Sequence, residues 1–378
     1  MRMRLLAVLA LSSGSASMAG AQSTDSAAFI IRLGVDTTAI ERYVRTPQQL
    51  IAEAVQRSPT TMLHRLTLRF GARGAITSGE WTVLRPGDTQ PVSRRLIRFQ
   101  GDTALIENTQ GGTTRTQNVQ APDAIPIAGP FYTPYELAMM RAMASGANRD
   151  TVLLLPGAAT AAIRLERVGR DSMALNNQFD EPLRAHVDAR GRLLHLHTRA
   201  YASVERIRWI DLNHWAREFA TRDAAGRALG PLSPRVTTRQ RFGAANVWLD
   251  YSRPAKRGRP VWGALVPWDQ VWRMGANDAA HLATDRPLEI GHVTLSPGTY
   301  TLFLLPAQSG WQLIINRSTG MSGLEYDAAL DVERIPLRVE NLERPVESFT
   351  IDLRPAANGG TIAIAWDNRS ASVPFRVQ

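Results

Sequence analysis

Period-two alternation is the feature that most narrows what this chain can become. From Phe29 to Thr198, apolar and polar residues trade places along short segments. Leu66, Leu68 and Phe70 alternate with Arg65, Thr67 and Arg69, and the pattern returns in Ile163 to Val168 and in Leu96 to Phe99 running into Thr103 to Ile106. Successive side chains of a strand point to opposite faces, so each segment can bury one face of an antiparallel sheet. Turn signals separate them at Pro86-Gly87-Asp88, Gln100-Gly101-Asp102, Gly111-Gly112, Gly169-Arg170-Asp171 and Arg190-Gly191. The order predicts an antiparallel meander or half-barrel. Pro47 to Arg57 admits a helical reading, but it lies between β-rich neighbours and is assigned to a strand.

Two helices interrupt the pattern. Thr133-Pro134-Tyr135-Glu136 reads as a capping box with proline at the first helical position, and the helix carries Leu137, Met139, Met140 and Met143 to a stop near Gly146. Apolar groups cover most of its circumference, so it should lie buried against the sheet. A second helix starts at Asp211, with Leu212, Trp215, Ala216 and Phe219 on one stripe and Arg217 and Glu218 outside it. Between Gly226 and Pro234 the periodicity stops and Gly and Pro concentrate, which reads as a linker.

From Val236 onward short strands return: Val247 to Tyr251, Leu288 to Leu295, Thr299 to Leu305, Gln312 to Ile315, Ile335 to Val339, Ser348 to Leu353, Thr361 to Trp366 and Val373 to Val377. Ser296-Pro297-Gly298 and Asn358-Gly359-Gly360 supply turns. The expected fold class is therefore mainly β. An N-terminal antiparallel meander or half-barrel with one or two helices occupies 22–225, a linker 226–235, and a C-terminal antiparallel β-sandwich 236–378.

Several ordered motifs in the last part carry a resemblance. Tyr251-Ser252-Arg253-Pro254, Arg257-Gly258-Arg259, Trp262-Gly263, Leu265-Val266-Pro267-Trp268, Val271-Trp272-Arg273, Gly275-Ala276-Asn277 and Pro297-Gly298-Thr299-Tyr300-Thr301-Leu302 resemble the bacterial exported family known as domain of unknown function 2911. The resemblance spans about residues 236 to 378. It implies an exported β-rich unit with no established activity. Asp269 and Met274 depart from the family pattern, where Gly and Thr are expected. The N-terminal part resembles, in pattern alone, exported half-open barrels covered by helices, of the lipoprotein-carrier type.

Residues 1–21 run from Arg2 and Arg4 through the apolar Leu5 to Leu11 to Ala19-Gly20-Ala21, the layout of a signal peptide. The expectation is an exported protein, periplasmic or secreted, with no transmembrane span, because no later stretch is long and apolar enough. The net charge of +10 would ordinarily suggest nucleic acid. However, every basic residue except Lys256 is arginine, scattered singly, so no nucleic-acid partner is expected and weak association with an anionic envelope surface is the most the charge supports. The chain has no cysteine, which excludes disulfides, thiolate metal sites and cysteine nucleophiles. No two glycines lie two apart, Ala255 precedes the lone lysine, and neither His-Glu-x-x-His nor Gly-x-Ser-x-Gly occurs, so no cofactor is expected.

Three constellations could carry function. Six of the nine tryptophans lie after residue 240, three of them between Trp262 and Trp272. Tyr251, Arg253, Arg257, Arg259, Trp268, Trp272, Arg273 and Asn277 could form a stacking and hydrogen-bonding surface for a saccharide, another small molecule or a protein. The alternative is that the indoles fill a core while Arg and Asn satisfy loop carbonyls. His195 and His197, joined by His186 across a tight hairpin, share a strand face and could hold a metal, although Arg184 and Arg199 beside them would repel a cation. Met139, Met140 and Met143 could line an apolar cavity or simply plug a core. The expected role is non-catalytic binding through the Trp and Arg loop. An apolar-ligand carrier built from the N-terminal sheet and Met helix, and a hydrolase of envelope or extracellular polymers, are the alternatives.

Overall fold

The N-terminal alternation becomes one curled sheet of fifteen strands. The computed structural model describes residues 24–378 except 177–182, 199, 321, 322 and 324; the expected signal peptide, residues 1–21, lies outside the described residues. The first run is β1 (Asp25–Leu33), β2 (Asp36–Arg45), β3 (Gln49–Gln56), β4 (Met62–Phe70), β5 (Ile76–Leu84), β6 (Ser93–Gln100), β7 (Thr103–Gln110) and β8 (Thr113–Gln120). Each pairs antiparallel with the next.

The second run is β9 (Ile125–Pro126), β10 (Arg149–Leu155), β11 (Ala161–Arg167), β12 (Ser172–Asn176), β13 (Leu183–Val187), β14 (Leu193–His197) and β15 (Ala202–Ile207). It returns so that β15 pairs with β1, leaving β8 and β9 as the two ends of the sheet. No ladder joins those ends: residues 121–124 connect them along the chain, and Ile97, Ala104, Ile106 and Val119 pack with Ala121, Ala124 and Leu155.

The two helices take opposite faces. Helix α1 (Thr133–Ser145) lies over the inner face, where Leu137, Ala138, Met139 and Ala142 pack with Ala27, Phe29, Tyr43, Ala52, Ala54 and Leu66. Alanines at those strand positions leave the room that a helix inside a curled sheet needs. Helix α2 (Leu212–Ala224) begins at Asp211, whose side chain accepts from the amides of Asn213 and His214. Its Leu212, Trp215, Ala216 and Phe219 cover Ile40, Val55 and Leu63, which point out of the other face. That explains why β2 and β3 are apolar on both sides.

The C-terminal part forms a separate nine-stranded antiparallel sheet folded around its own core of Val247, Leu249, Leu302, Leu304, Leu313, Ile315, Ile351, Ile364, Trp311 and Trp366. Four short strands expected after Ile335 are two long ones, Asp331–Ala356 and Gly359–Val377. Charged residues such as Glu340, Glu343 and Arg344 hide this continuity in the sequence, because the ladder passes them with register shifts between Asn341 and Thr350. Conversely, Leu288 to Leu295 is a hairpin of Leu288–Ile290 and Val293–Leu295, turned at Gly291 with φ of 65°. No helix among the described residues is long and apolar enough to cross a membrane.

The two sheets touch at the turn between β1 and β2. Val35 donates its amide to the Arg257 carbonyl at 3.0 Å, and the Arg257 guanidinium reaches Asp36 at 2.5 Å. Gly34 has φ of 59°, and a β-carbon there would lie 2.1 Å from the Arg257 carbonyl oxygen. The linker is docked as well, with the Gly230 amide on the Pro59 carbonyl and Ser58 Oγ on the Gly230 carbonyl, each at 3.0 Å. Replacing Gly34 by Ala adds left-handed strain of about 1–2 kcal/mol to that overlap. G34A is therefore expected to loosen the contact and speed tryptic cleavage at Arg227, with both sheets retaining their circular dichroism.

Candidate functional site

A cavity of about 470 Å³ opens in the N-terminal sheet beside the linker. Ile31, Ala39 and Gln56 from β1–β3 form one side, Trp81 and Arg95 from β5 and β6 the other, and the segment Ile127 to Tyr132 with Tyr135 crosses between them. Leu232 of the linker completes the wall. Volume and lining suit a small organic molecule, since binding cavities are typically about 300–1,000 Å³ and mostly apolar with a few polar groups. Trp81 is fixed in place. Its indole N–H donates to His64 Nδ1 at 3.3 Å, and burial pushes the His64 imidazole down to about 4, so the ring is neutral and able to accept.

The crossing segment is anchored by a carboxylate from the sheet. Glu41 on β2 accepts from the Tyr132 amide at 2.7 Å, from the Thr133 amide at 3.1 Å and from the Thr133 hydroxyl. The capping box expected at Thr133 to Glu136 is therefore not formed: Tyr132 stands at the N-cap without a side-chain bond. Glu136 instead turns inward, accepting from Tyr43 Oη at 2.6 Å, the Leu193 amide at 2.8 Å and Arg206 Nη1 at 2.6 Å. Tertiary partners displaced the local motif because Glu41 already satisfies the helix end, freeing Glu136 to balance the largely buried Arg206.

Burial pushes the Glu41 carboxyl up to about 7, and it raises Glu136 as well, with Arg206 opposing the latter. A carboxyl with a raised pKa in the folded state binds more protons there than in the unfolded chain. Stability should then fall as pH rises from about 4.5 to 7 and level off above. Urea unfolding at pH 5 and pH 8 is expected to show the wild type less stable at pH 8 by about 1–3 kcal/mol. Glu41→Gln, which keeps a neutral acceptor, should flatten that difference.

The eight side chains that the sequence marks in the second half are placed as follows. Tyr251 and Trp272 are buried in the core; the Ile351 amide donates to Tyr251 Oη at 2.9 Å, and Trp272 stacks on Trp366 with ring centroids 5.7 Å apart. Arg253 donates to the Phe349 carbonyl and Thr350 Oγ1. Arg257 reaches across to Asp36, and buried Arg259 donates to the carbonyls of Lys256, Ala255 and Ala200. Trp268 is half-buried against Trp311 with Arg369 over its ring, while Arg273 packs against Gly323. Exposed Asn277 accepts at its carbonyl from the Gly323 amide. The loop brings these residues together as packing and as a clamp between the sheets rather than as an open face.

Residues 233–375 match the family described as "Protein of unknown function (DUF2911)". Among solved structures, the chain is similar to the beta-barrel-like protein of domain of unknown function DUF1849 from Brucella abortus, at 8% identity and a TM-score of 0.33, over 48% of this chain and 95% of that one. At that distance the likeness carries no argument. The curated proteins contain no match.

In the DUF2911 segment, Trp272→Ala removes a core indole and is expected to cost about 3–5 kcal/mol in urea unfolding. Trp268→Ala, at a half-buried position, should cost clearly less. The histidines lie on the other sheet. His186 pairs directly with His195, through a bulge rather than the tight hairpin the sequence suggests, and the His195 and His197 rings sit 3.8 Å apart edge to face. Arg184 stands opposite His197, while Arg199 lies outside the described residues. Among the described residues no three His, Asp or Glu side chains are arranged to hold a metal ion.

The cavity residues were not singled out from sequence. Phe131, Tyr132 and Tyr135 cluster at the start of a buried helix, and Trp81 and Arg95 are cross-strand neighbours. Those signals were present, but only the fold brings them to one wall. The methionines do not line it: Met139 is core, and Arg45 Nη1 contacts Met140 Sδ at 2.7 Å.

Proposed function

We propose that this is an exported, non-catalytic binding protein that takes a small apolar or amphipathic molecule into the cavity of its N-terminal sheet. The observation that carries the reading is the lining: Trp81, Phe131, Tyr132, Tyr135, Ile31 and Ile127 surround about 470 Å³, with no Asp, Glu, His or Cys among the lining residues. Such a wall holds a ligand by contact area. Its hydroxyls, Ser58 and Thr38, have no carboxylate or imidazole among the lining residues to act as their general base, which favours binding over the hydrolase alternative. The signal-like order of residues 1–21 supports export. A saccharide or protein contact through Trp268, Arg273 and Asn277 is the less supported surface, because most of that loop is spent on packing and on the contact between sheets.

Ala128, half-buried in the cavity wall, gives the test. Wild-type protein should bind the neutral dye N-phenyl-1-naphthylamine with enhanced fluorescence. Ala128→Trp should weaken that binding by about tenfold or more, equivalent to about 1.4 kcal/mol, while the melting curve stays near that of the wild type. Absence of dye binding to the wild type, or equal binding by both proteins, would remove the proposal. An organic extract of purified protein analysed by mass spectrometry should contain a stoichiometric small molecule.

A further inference from the structure

Among the residues that line the cavity, Arg95 is the one that carries a charge. Its neighbours on β6, Arg94 and Arg98, take the opposite face and pair with Glu80 at 2.7 Å and Glu107 at 2.5 Å. Among the described residues Arg95 has no such partner. Its Nε donates to Asn108 Oδ1 at 2.8 Å and its Nη1 to the Pro156 carbonyl at 2.7 Å, both neutral acceptors, and the guanidinium carbon stands 5.2 Å from the centre of the Trp81 ring. Among the described residues nothing accepts from Nη2. Burial lowers its pKa with no carboxylate opposing the effect, yet a guanidinium stays protonated.

A half-buried cation held by neutral groups is an incomplete arrangement, because the desolvation of its charge is offset only by dipoles and an indole face. An incoming anion would complete it. We propose that the molecule bound in the cavity is an amphiphile with an acidic head, a carboxylate or a phosphate, that accepts from Arg95 while its apolar body lies against Trp81, Phe131 and the Ile127 to Tyr132 segment. This rests on the reading of the cavity given above and adds the chemical class of the ligand. Arg95 also bridges β6 to Pro156, so a role confined to holding the wall must be separated from contact with the ligand.

Displacement of N-phenyl-1-naphthylamine by decanoate, decyl phosphate and decan-1-ol separates them on the full chain. At least one acid is expected to bind about tenfold more tightly than the alcohol, as a charge-assisted hydrogen bond of about 1.5 kcal/mol would give. The tighter of the two acids identifies the head as carboxylate or phosphate. In Arg95→Gln that preference should fall to about one while the affinity for decanol stays within about twofold; Arg95→Lys should keep part of it. Equal binding of acid and alcohol by the wild type overturns the proposal and leaves the cavity reading standing. Failure of all three to displace the dye overturns both. A parallel loss for all three ligands in Arg95→Gln makes Arg95 a wall clamp and also overturns the proposal. Should Arg95→Gln not fold, the wild-type acid-to-alcohol ratio still decides.

Discussion

A helix laid inside a curled sheet must hide its first free amides where little water can solvate them. Glu41 does this for α1 by reaching up from β2 to two backbone N–H groups and a hydroxyl. The same contact fixes the end of the Ile127 to Tyr132 segment, and with it one wall of the cavity. Glu136, released from local capping, ties the first turn to Tyr43, Arg206 and the Leu193 amide, so the helix is held from both runs of strands. Arg45 and Arg206 converge on Asp25 at 2.7 Å and 3.8 Å and extend the network to the first strand. Two buried carboxyls, a tyrosine and an arginine therefore position an otherwise apolar plug.

Fold class was legible from the residues because alternation is a local signal. Leu66, Leu68 and Phe70 state which face is buried without reference to any other strand, and the helix at Asp211 announces itself through its cap and its stripe. What could not be read was anything decided by contact over long separations. Thr133 and Glu136 spell a capping box, and only the presence of Glu41 some ninety residues earlier changes its outcome. Trp272 and Arg259 look like a recognition surface in one dimension. Indoles serve a ligand and a core equally well, and a guanidinium donates to loop carbonyls as readily as to a sugar.

The DUF2911 segment gains a different meaning from its position. Arg257, Gly258 and Arg259 form the side of that unit which meets the β1–β2 turn, and Gly258 lies so close to Val35 that a β-carbon would sit 2.7 Å from its Cγ1. A motif that resembles a ligand loop thus works in this chain as a joint. The linker is part of the same joint, since Ser58 and Pro59 hold Gly230 and Leu232 reaches the cavity. The linker therefore touches both the first sheet, at Gly230, and the cavity wall, at Leu232, within one short stretch of backbone.

The two ends of the fifteen-stranded sheet adjoin through Ile97, Ile106, Val119 and Leu155 and through the reach of Arg95 to Pro156, with no ladder between them. Drawing β6 to β8 away from Leu155 and Pro156 would expose methyl groups and release the Arg95 bond to the Pro156 carbonyl, while residues 121–124 keep the strand ends tethered. The curled sheet therefore has one side joined by side-chain packing and another joined by ladders. Separation along that line would leave the hydrogen-bonded ladders between the other strands intact.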